Sequence, residues 1–117
     1  MELKEYMIQS QRTVNSLENN DLDTQHALLG MITEVAEIAD LYKKKMAYNK
    51  YFSKEQLTDE LGDLMFYISA FCNAAKLDMP TVLEKNIQKL MVRFPDGFDS
   101  NRAISPDKVE ESTVFKT

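Results

Sequence analysis

The sequence predicts an all-α protein built as a four-helix bundle-like domain. Its 117 residues include only three glycines and three prolines, and 44% are apolar, a composition that favours helices over a turn-rich β architecture. Apolar residues also recur at the helical period along most of the chain. A chain of this length is expected to form one domain with a modest core.

The first two helices are predicted on either side of a polar run. The first is expected over residues 3–17 and the run at 18–23 ends it. Asp23 or Thr24 can cap the second helix, because short polar side chains accept hydrogen bonds from the free amides of a first turn. The second helix should then extend to about Met46.

The third and fourth helices also have start and stop signals. Ser53 and Gln56 form a plausible capping box for a helix that runs to about Lys76. Pro80 suits the first turn of a fourth helix, and Pro95 disfavours helix at the residue before it. The polar stretch 100–117 lacks strong periodicity and is expected to be mobile or draped on the surface. We therefore predict a domain at residues 1–99 followed by a polar tail.

The second helix is apolar on two sides. One side is the face of Glu34 and carries Met31, Ile38 and Leu41 among other apolar residues. The opposite side carries Leu29, Ile32, Ala36 and Ala39. A helix that is apolar on two sides is normally buried on two sides, so we expect a homodimer or homotetramer that assembles through helices.

Four acidic residues interrupt the apolar faces of the second and third helices. Glu34 and Glu37 are three residues apart on the second helix, and Glu60 and Asp63 have the same spacing on the third. A short connection makes the two helices antiparallel neighbours, which brings the acidic pairs face to face. Carboxylates in an apolar setting are costly unless a cation offsets their charge. Clustered carboxylate oxygens suit Mg²⁺, or Mn²⁺, and predict a metal-dependent enzyme.

Charge and cysteine content restrict the protein's surroundings. The net charge is −5, and a protein that coats nucleic acid needs a surplus of lysine and arginine. The single cysteine, Cys72, lies in an apolar run and is expected to pack as a small hydrophobe. The first residues lead directly into a charged amphipathic segment, without a signal peptide or a stretch that could span a bilayer. We therefore expect a cytoplasmic protein that binds neither nucleic acid nor membranes.

Several motifs together resemble a known family. These are His26–Asp40 (HALLGMITEVAEIAD), Asp59–Tyr67 (DELGDLMFY) and the segment from Asn86 through Arg93-Phe94-Pro95-Asp96-Gly97-Phe98. Together they are similar over residues 26–99 to the MazG-like all-α nucleoside triphosphate pyrophosphohydrolases, and most similar to compact phage-type members. The family pattern is usually E-E-x-x-E followed by E-x-x-D, and Thr33 stands here at the first acidic position.

The resemblance implies a reaction and a metal. Glu34, Glu37, Glu60 and Asp63 would hold Mg²⁺, and hydrolysis between the α- and β-phosphates of a nucleoside triphosphate would give a monophosphate and pyrophosphate. Such a reaction needs charge neutralisation and an aligned water rather than covalent chemistry. A carboxylate not fully engaged by metal could accept the proton of that water. We expect Glu37 to do so, with Glu34 as the second candidate.

Phosphates also require cations from the protein. Asn86, Lys89 and Arg93 lie on one face of the fourth helix, and the resemblance favours phosphate binding over an ordinary solvated face. Lys44 is a weaker candidate, because lysines at the end of a helix normally interact with its dipole. His26 could contact substrate, although a structural histidine is the more common case.

Three alternatives remain open from the sequence. The face that carries the four acidic residues could belong to a catalytically silent helical module that binds another protein. The enzyme could instead hydrolyse a non-nucleotide diphosphate or a damaged nucleotide. The acidic residues could also be neutralised by Lys44, Lys45 or Arg93 as structural ion pairs.

Overall fold

A computed structural model describes residues 1–116 and confirms the all-α class. The elements in chain order are α1 (Leu3–Gln11), α2 (Asn20–Tyr48), α3 (Lys54–Ala74), α4 (Met79–Arg93), α5 (Ser100–Ile104), α6 (Lys108–Ser112) and a 3₁₀ turn (Thr113–Phe115). The described residues form no β-strand, and none of their helices is long and apolar enough to cross a membrane. The chain divides into two compact units, Met1–Leu77 and Asp78–Thr117.

The long helices α2 and α3 of the first unit form an antiparallel pair. Glu34 of α2 lies beside Asp63 of α3, whereas Gly30, one turn earlier in α2, lies beside Tyr67, one turn later in α3. The contacts therefore advance in opposite directions along the two helices. This arrangement is the one that the short connection between them predicts.

The predicted capping box at the start of α3 is confirmed. The Ser53 hydroxyl accepts a hydrogen bond from the Gln56 amide at 3.1 Å, and the Gln56 side chain accepts one from the Ser53 amide at 2.8 Å. Two of the free amides at this helix end are satisfied in this way. The capping box thus sets where α3 begins and how it returns along α2.

Helix α1 packs on α3 through polar contacts as well as apolar ones. The buried Ser10 and Ser69 hydroxyls lie 2.8 Å apart in a hydrogen bond. The Asn73 side-chain amide donates to the Met7 carbonyl at 3.2 Å. Cys72 is buried, as the sequence predicted. The pairing of buried polar groups fixes α1 in one position along α3.

Two predicted boundaries in the first unit are wrong. Helix α1 ends at Gln11 rather than near Leu17, and α2 begins at Asn20 with Asn19 as its cap, through a 3.0 Å hydrogen bond from the Leu22 amide. Asp23 does not cap the helix. Its carboxylate instead accepts hydrogen bonds from the Leu17 amide at 2.6 Å and from the hydroxyl of residue 16 at 3.1 Å. These contacts hold residues 12–19 as an ordered loop outside both helices.

The contact between Gly30 and Tyr67 leaves no room for a side chain at position 30. A Cβ atom placed there would overlap the Tyr67 ring, whereas one placed at Gly62 on α3 would meet no atom within 4 Å. We expect Gly62→Ala to stabilise the protein by about 0.5–1 kcal/mol, because alanine suits a helix interior better than glycine. Gly30→Ala should be destabilising relative to this control by about 1–3 kcal/mol, the usual cost of overpacking.

Chemical denaturation of the two glycine variants tests this packing. Because both substitutions carry the same gain in helix propensity, the difference between them isolates the contact with the Tyr67 ring. Equal stabilisation by Gly30→Ala and Gly62→Ala would contradict the close approach of α2 and α3.

The second unit consists of α4 and the segment that follows it. Pro80 lies in the first turn of α4, and the helix ends at Arg93, two residues before Pro95, so both predicted boundaries are confirmed. Two short helices and the 3₁₀ turn occupy much of residues 100–116, a stretch without a periodic pattern of apolar residues. The predicted division into residues 1–99 and a tail at 100–117 stays a prediction, and Thr117 lies outside the described residues.

Candidate metal centre and adjoining cavity

Three of the four predicted metal ligands meet between α2 and α3. Carboxylate oxygens of Glu34, Glu60 and Asp63 all lie within 4.8 Å of one another. Glu34 and Glu60 are partly buried and Asp63 is exposed. The antiparallel pairing of the helices brings together acids that are 26 to 29 residues apart in the chain. We call these three residues the acidic cluster.

Burial and neighbouring negative charges make ionisation of Glu34 and Glu60 less favourable than in water. The pKa of the Glu34 carboxyl is raised, first by partial removal from water and then by the charges of Asp63 and Glu60. The pKa of Glu60 is also raised, first by partial removal from water and then by the charge of Glu37, with smaller contributions from Asp59 and Asp63. A hydrogen bond between the Glu34 and Glu60 side chains raises the pKa of the first and opposes the rise in the second.

The raised pKa values argue against the structural ion-pair alternative. A lysine or arginine beside these carboxylates would lower their pKa values rather than raise them. Lys44 instead lies 2.7 Å from Asp40, and Arg93 lies 2.6 Å from Glu111. Lys45, the third cation that the sequence suggested, lies over the rings of Tyr51 and Phe52.

The donor set of the acidic cluster fits a hard divalent cation. All three groups offer carboxylate oxygens, which are the ligands that Mg²⁺ and Mn²⁺ prefer. A bound cation would also relieve the repulsion that raises the pKa values of Glu34 and Glu60. The residues present thus satisfy both the chemistry and the charge that such an ion requires.

Glu37, the fourth predicted ligand, lies outside the acidic cluster. Its side chain is exposed, and its charge is the largest of those that raise the pKa of Glu60. Its charge also raises the pKa of Lys44 slightly. Glu37 therefore acts electrostatically on both Glu60 and Lys44 without joining the three gathered carboxylates.

A cavity of about 310 Å³ opens in the same unit, next to the helix pair. Most of its lining groups are polar, and two aromatic rings contribute to its wall. The lining residues are Gln11, Thr13, Val14, Asn15, Ser16, Asn20, Asp23, His26, Ala27, Phe66, Tyr67, Ala70, Asn73 and Ala74. Its volume lies at the lower end of the range for small-molecule sites.

The cavity and the acidic cluster share the same helices. Tyr67 lines the cavity and lies one turn beyond Asp63 on α3, while Ala27 lines it two turns before Glu34 on α2. Seven residues of helix span about 10 Å. His26 lies at this cavity, where its ring meets the Tyr67 ring edge to face at 6.2 Å between centroids. The cavity and the acidic cluster are therefore about two helical turns apart along α2 and one turn apart along α3.

The predicted phosphate-binding residues belong to the second unit. Asn86 is exposed, Lys89 is partly buried, and Arg93 ends α4. The Arg93 guanidinium binds both carboxylate oxygens of Glu111, at 2.6 Å and 3.3 Å. Arg93 is therefore already paired with an anion of the C-terminal segment, which the sequence did not predict.

The sequence profile of the MazG nucleotide pyrophosphohydrolase domain matches residues 23–98. This chain belongs to the MazG family. The match contains the acidic cluster, Glu37 and the phosphate-binding candidates of α4. The resemblance drawn from the motifs is thereby confirmed.

This MazG chain is also similar to a phage protein. The gene 37 protein of Mycobacterium phage L5 is 30% identical over 76 residues, which cover 62% of this chain and 67% of that protein. The similarity agrees with the expectation of a compact phage-type member. No solved structure matches the chain.

Several residues around the site of this MazG chain were not singled out from the sequence. Asn15, Asn20 and Asn73 line the cavity. The pKa of Tyr6 is raised, first by the partial burial of its side chain and second by the charge of Asp63. The predicted first helix covers residues 12–17 of the loop at 12–19, so the sequence does not indicate that these residues line a cavity. The position of Tyr6 depends on how α1 packs on α3, for which the sequence contains no direct signal.

Proposed function

We propose that this MazG protein is a Mg²⁺-dependent nucleoside triphosphate pyrophosphohydrolase that converts a ribo- or deoxyribonucleoside triphosphate and water to the monophosphate and pyrophosphate. The observation that carries the proposal is the acidic cluster of Glu34, Glu60 and Asp63 beside a polar, partly aromatic cavity. Membership of the MazG family supports the same chemistry. The cavity would bind the nucleoside, and the cluster would lie near the triphosphate.

The acidic cluster and Glu37 would hold the cation. When bound, Mg²⁺, or Mn²⁺ in its place, neutralises phosphate charge and makes a coordinated water more acidic. Glu34, Glu60 and Asp63 supply the anionic oxygens that fix its position. Glu37 is exposed and lies outside the cluster, so its carboxylate would be only partly engaged by the cation and would accept the proton of the attacking water. Glu34 is the second candidate for this proton transfer.

The cavity residues would orient the nucleoside. The Tyr67 and His26 rings offer apolar faces to a base or sugar, and the side chains of Asn15 and Asn20 offer both donors and acceptors. Because Tyr67 also packs against Gly30, its ring has a fixed position. A ring that is already ordered would lose little side-chain entropy when the nucleoside binds.

A substrate panel tests the proposal. Common and modified ribo- and deoxyribonucleoside triphosphates would each be incubated with the protein and Mg²⁺, and products separated by ion-exchange chromatography. We expect a monophosphate and pyrophosphate in equal amounts, and no product when a chelator replaces Mg²⁺. Release of inorganic phosphate and a diphosphate would contradict the position of cleavage. Absence of any product would favour the protein-binding module.

Lys89 provides a test of phosphate binding by α4. We propose that Asn86, Lys89 and Arg93 contact phosphate oxygens, with Lys44 in a lesser role. Lys89→Ala should lower kcat/KM by roughly ten- to hundredfold, which corresponds to the ~1.5–3 kcal/mol of a hydrogen bond to a charged group. Lys50→Ala, which removes an exposed charge after α2, is the matched control. Arg93 is less suitable, because its removal also leaves Glu111 unpaired.

Kinetics of the two lysine variants decide the matter. Unchanged kcat/KM in Lys89→Ala would show that this face of α4 is merely solvated. Equal losses in both variants would point to a general effect of net charge.

We also propose a homodimer or homotetramer, located in the cytoplasm. Leu29 and Ile32 on the far side of α2 are 61% and 58% exposed, and Val35 is 51% exposed. Such a row of apolar side chains on one helix is unusual for a monomer. The buried thiol of Cys72 is compatible with a reducing compartment.

A further inference from the structure

The C-terminal segment, residues 100–116, is anchored to α4 through the cations of that helix. Glu111 of α6 binds the Arg93 guanidinium with both carboxylate oxygens. The Lys85 ammonium donates to the Val114 carbonyl at 2.9 Å. In return, Arg102 of α5 donates to the Val92 carbonyl at 3.0 Å and to the carbonyl of residue 93. Three cationic side chains therefore mediate the contact.

The pairing of Glu111 with Arg93 imitates the binding of a phosphate. A guanidinium binds carboxylate and phosphate in the same two-pronged geometry. The Glu111 side chain is only 4% exposed and that of Arg93 19%. The hydrogen bond and charge of Arg93 hold the pKa of Glu111 below its ordinary value, with smaller contributions from Lys108 and Lys89. Glu111 is thus stabilised as an anion by Arg93 and Lys89, two of the three residues of α4 proposed to bind substrate phosphates.

The segment has little apolar attachment to hold it in place. Ile104 and Val109 are 81% and 79% exposed, and Phe115 is more than half exposed. Because apolar burial is the main source of lasting association, a segment held by ion pairs and hydrogen bonds is displaced more readily by a competing anion. A triphosphate carries more charge than the Glu111 carboxylate and has more oxygens that can bind Arg93.

We propose that the C-terminal segment is an acidic latch, in which Glu111 occupies Arg93 until the phosphates of the substrate displace it. The proposal rests on the proposed function, because it assigns Arg93 to the substrate. It makes Glu111 an internal competitor of the triphosphate. Binding of polyphosphate and docking of residues 108–114 on α4 then exclude each other.

Inorganic tripolyphosphate is the probe that tests this competition. Its binding would be measured by calorimetry in metal-free buffer, where hydrolysis does not occur, for the full chain, Glu111→Gln and Glu110→Gln. The control removes the same charge from an exposed neighbour on α6. We expect Glu111→Gln to bind roughly five- to tenfold more tightly than the wild type, a coupling of ordinary size between two competing ligands. Glu110→Gln should bind like the wild type.

Hydrogen exchange of the wild type gives a second readout that needs no variant. Tripolyphosphate should accelerate exchange at amides 108–114, whereas potassium chloride at equal ionic strength should not. Equal affinities of the wild type and Glu111→Gln, or unchanged exchange on addition of tripolyphosphate, would overturn the latch. If Glu111→Gln does not fold, the exchange experiment alone decides.

The two proposals fail in distinguishable ways. Hydrolysis of a nucleoside triphosphate without competition between tripolyphosphate and the segment would reject the latch and leave the proposed function intact. Competition without hydrolysis of any substrate in the panel would reject the proposed function and leave an anion-controlled segment.

Discussion

Glu34→Gln and Glu60→Gln are each expected to lower metal-dependent hydrolysis by about a hundredfold or more. Each substitution removes one anionic oxygen from a cluster in which three carboxylates lie within 4.8 Å. Loss of one ligand weakens the binding of the cation and displaces the attacking water. Each factor of ten in rate corresponds to only about 1.4 kcal/mol of activation free energy. Steady-state release of pyrophosphate at limiting Mg²⁺ measures the effect. Glu55→Gln, at an exposed position of α3, is the matched control.

The same Glu34 variant should behave in the opposite way in thermal stability. The pKa of Glu34 is raised in the folded state above its ordinary value of 4.5, so the folded protein binds more protons and loses stability as pH rises through that range. Glutamine does not ionise, so the variant does not lose stability in this way as pH rises. In metal-free buffer at pH 8, Glu34→Gln should therefore melt at a higher temperature than the wild type, and the difference should shrink at pH 4.

Saturating Mg²⁺ should reverse that order. The wild type then gains the free energy of cation binding, which acts only on the folded state. Normal activity of both variants at limiting Mg²⁺, or melting temperatures that do not respond to Mg²⁺, would contradict the metal centre.

Ile32→Glu should dissociate the proposed oligomer. Ile32 is 58% exposed on the side of α2 opposite the acidic cluster. In a symmetric interface a charge at this position meets its own mate or apolar neighbours, and either outcome is unfavourable by several kcal/mol. Light scattering at micromolar concentration should show a smaller particle. Gln9→Glu, which adds the same charge on an exposed position of α1, should leave the mass unchanged.

The wild type gives the decisive comparison for assembly. A monomeric and fully active wild type at micromolar concentration would refute the oligomer but would not affect the metal centre. Loss of activity in Ile32→Glu together with dissociation would indicate that the site is complete only in the assembled protein.

The helices that could be predicted from sequence are those whose ends depend on neighbouring residues. Ser53 with Gln56, Pro80 and Pro95 act within a single turn, and the structure confirms all of them. The start of α2 was predicted wrongly because Asn19 and Asp23 are both good caps. Asp23 is instead bound to the loop at 12–19, a choice that depends on where that loop lies.

The acidic cluster was largely predictable because helix geometry and a short connection determine it. Glu34, Glu60 and Asp63 meet as expected. Three residues turn a helix by about 300°, so the two acids of each pair point roughly 60° apart. Spacing alone therefore does not determine which acids meet, and Asp63 belongs to the cluster whereas Glu37 lies outside it.

The cavity and the pairing of Arg93 could not be predicted. Residues 13–16 of the cavity wall come from the loop at 12–19, and the predicted first helix covers residues 12–17 of that loop because Val14 and Leu17 continue its apolar face. Glu111 is 18 residues from Arg93, in a stretch without periodicity. Contacts of this kind depend on the path of irregular chain, which residue patterns do not encode.

The contact of Tyr67 with Gly30 limits which substitutions the cavity wall can accept at position 67. One face of the ring closes the packing of α2 on α3, while the same side chain lines the cavity. A smaller residue at position 67 would leave a void beside a glycine that has no side chain to fill it, at a cost in stability. Asn15 and Ser16 line the cavity from exposed loop positions outside the two helices. In the nucleoside site proposed for this cavity, substitutions along the loop are therefore less constrained by packing than substitutions along the helices.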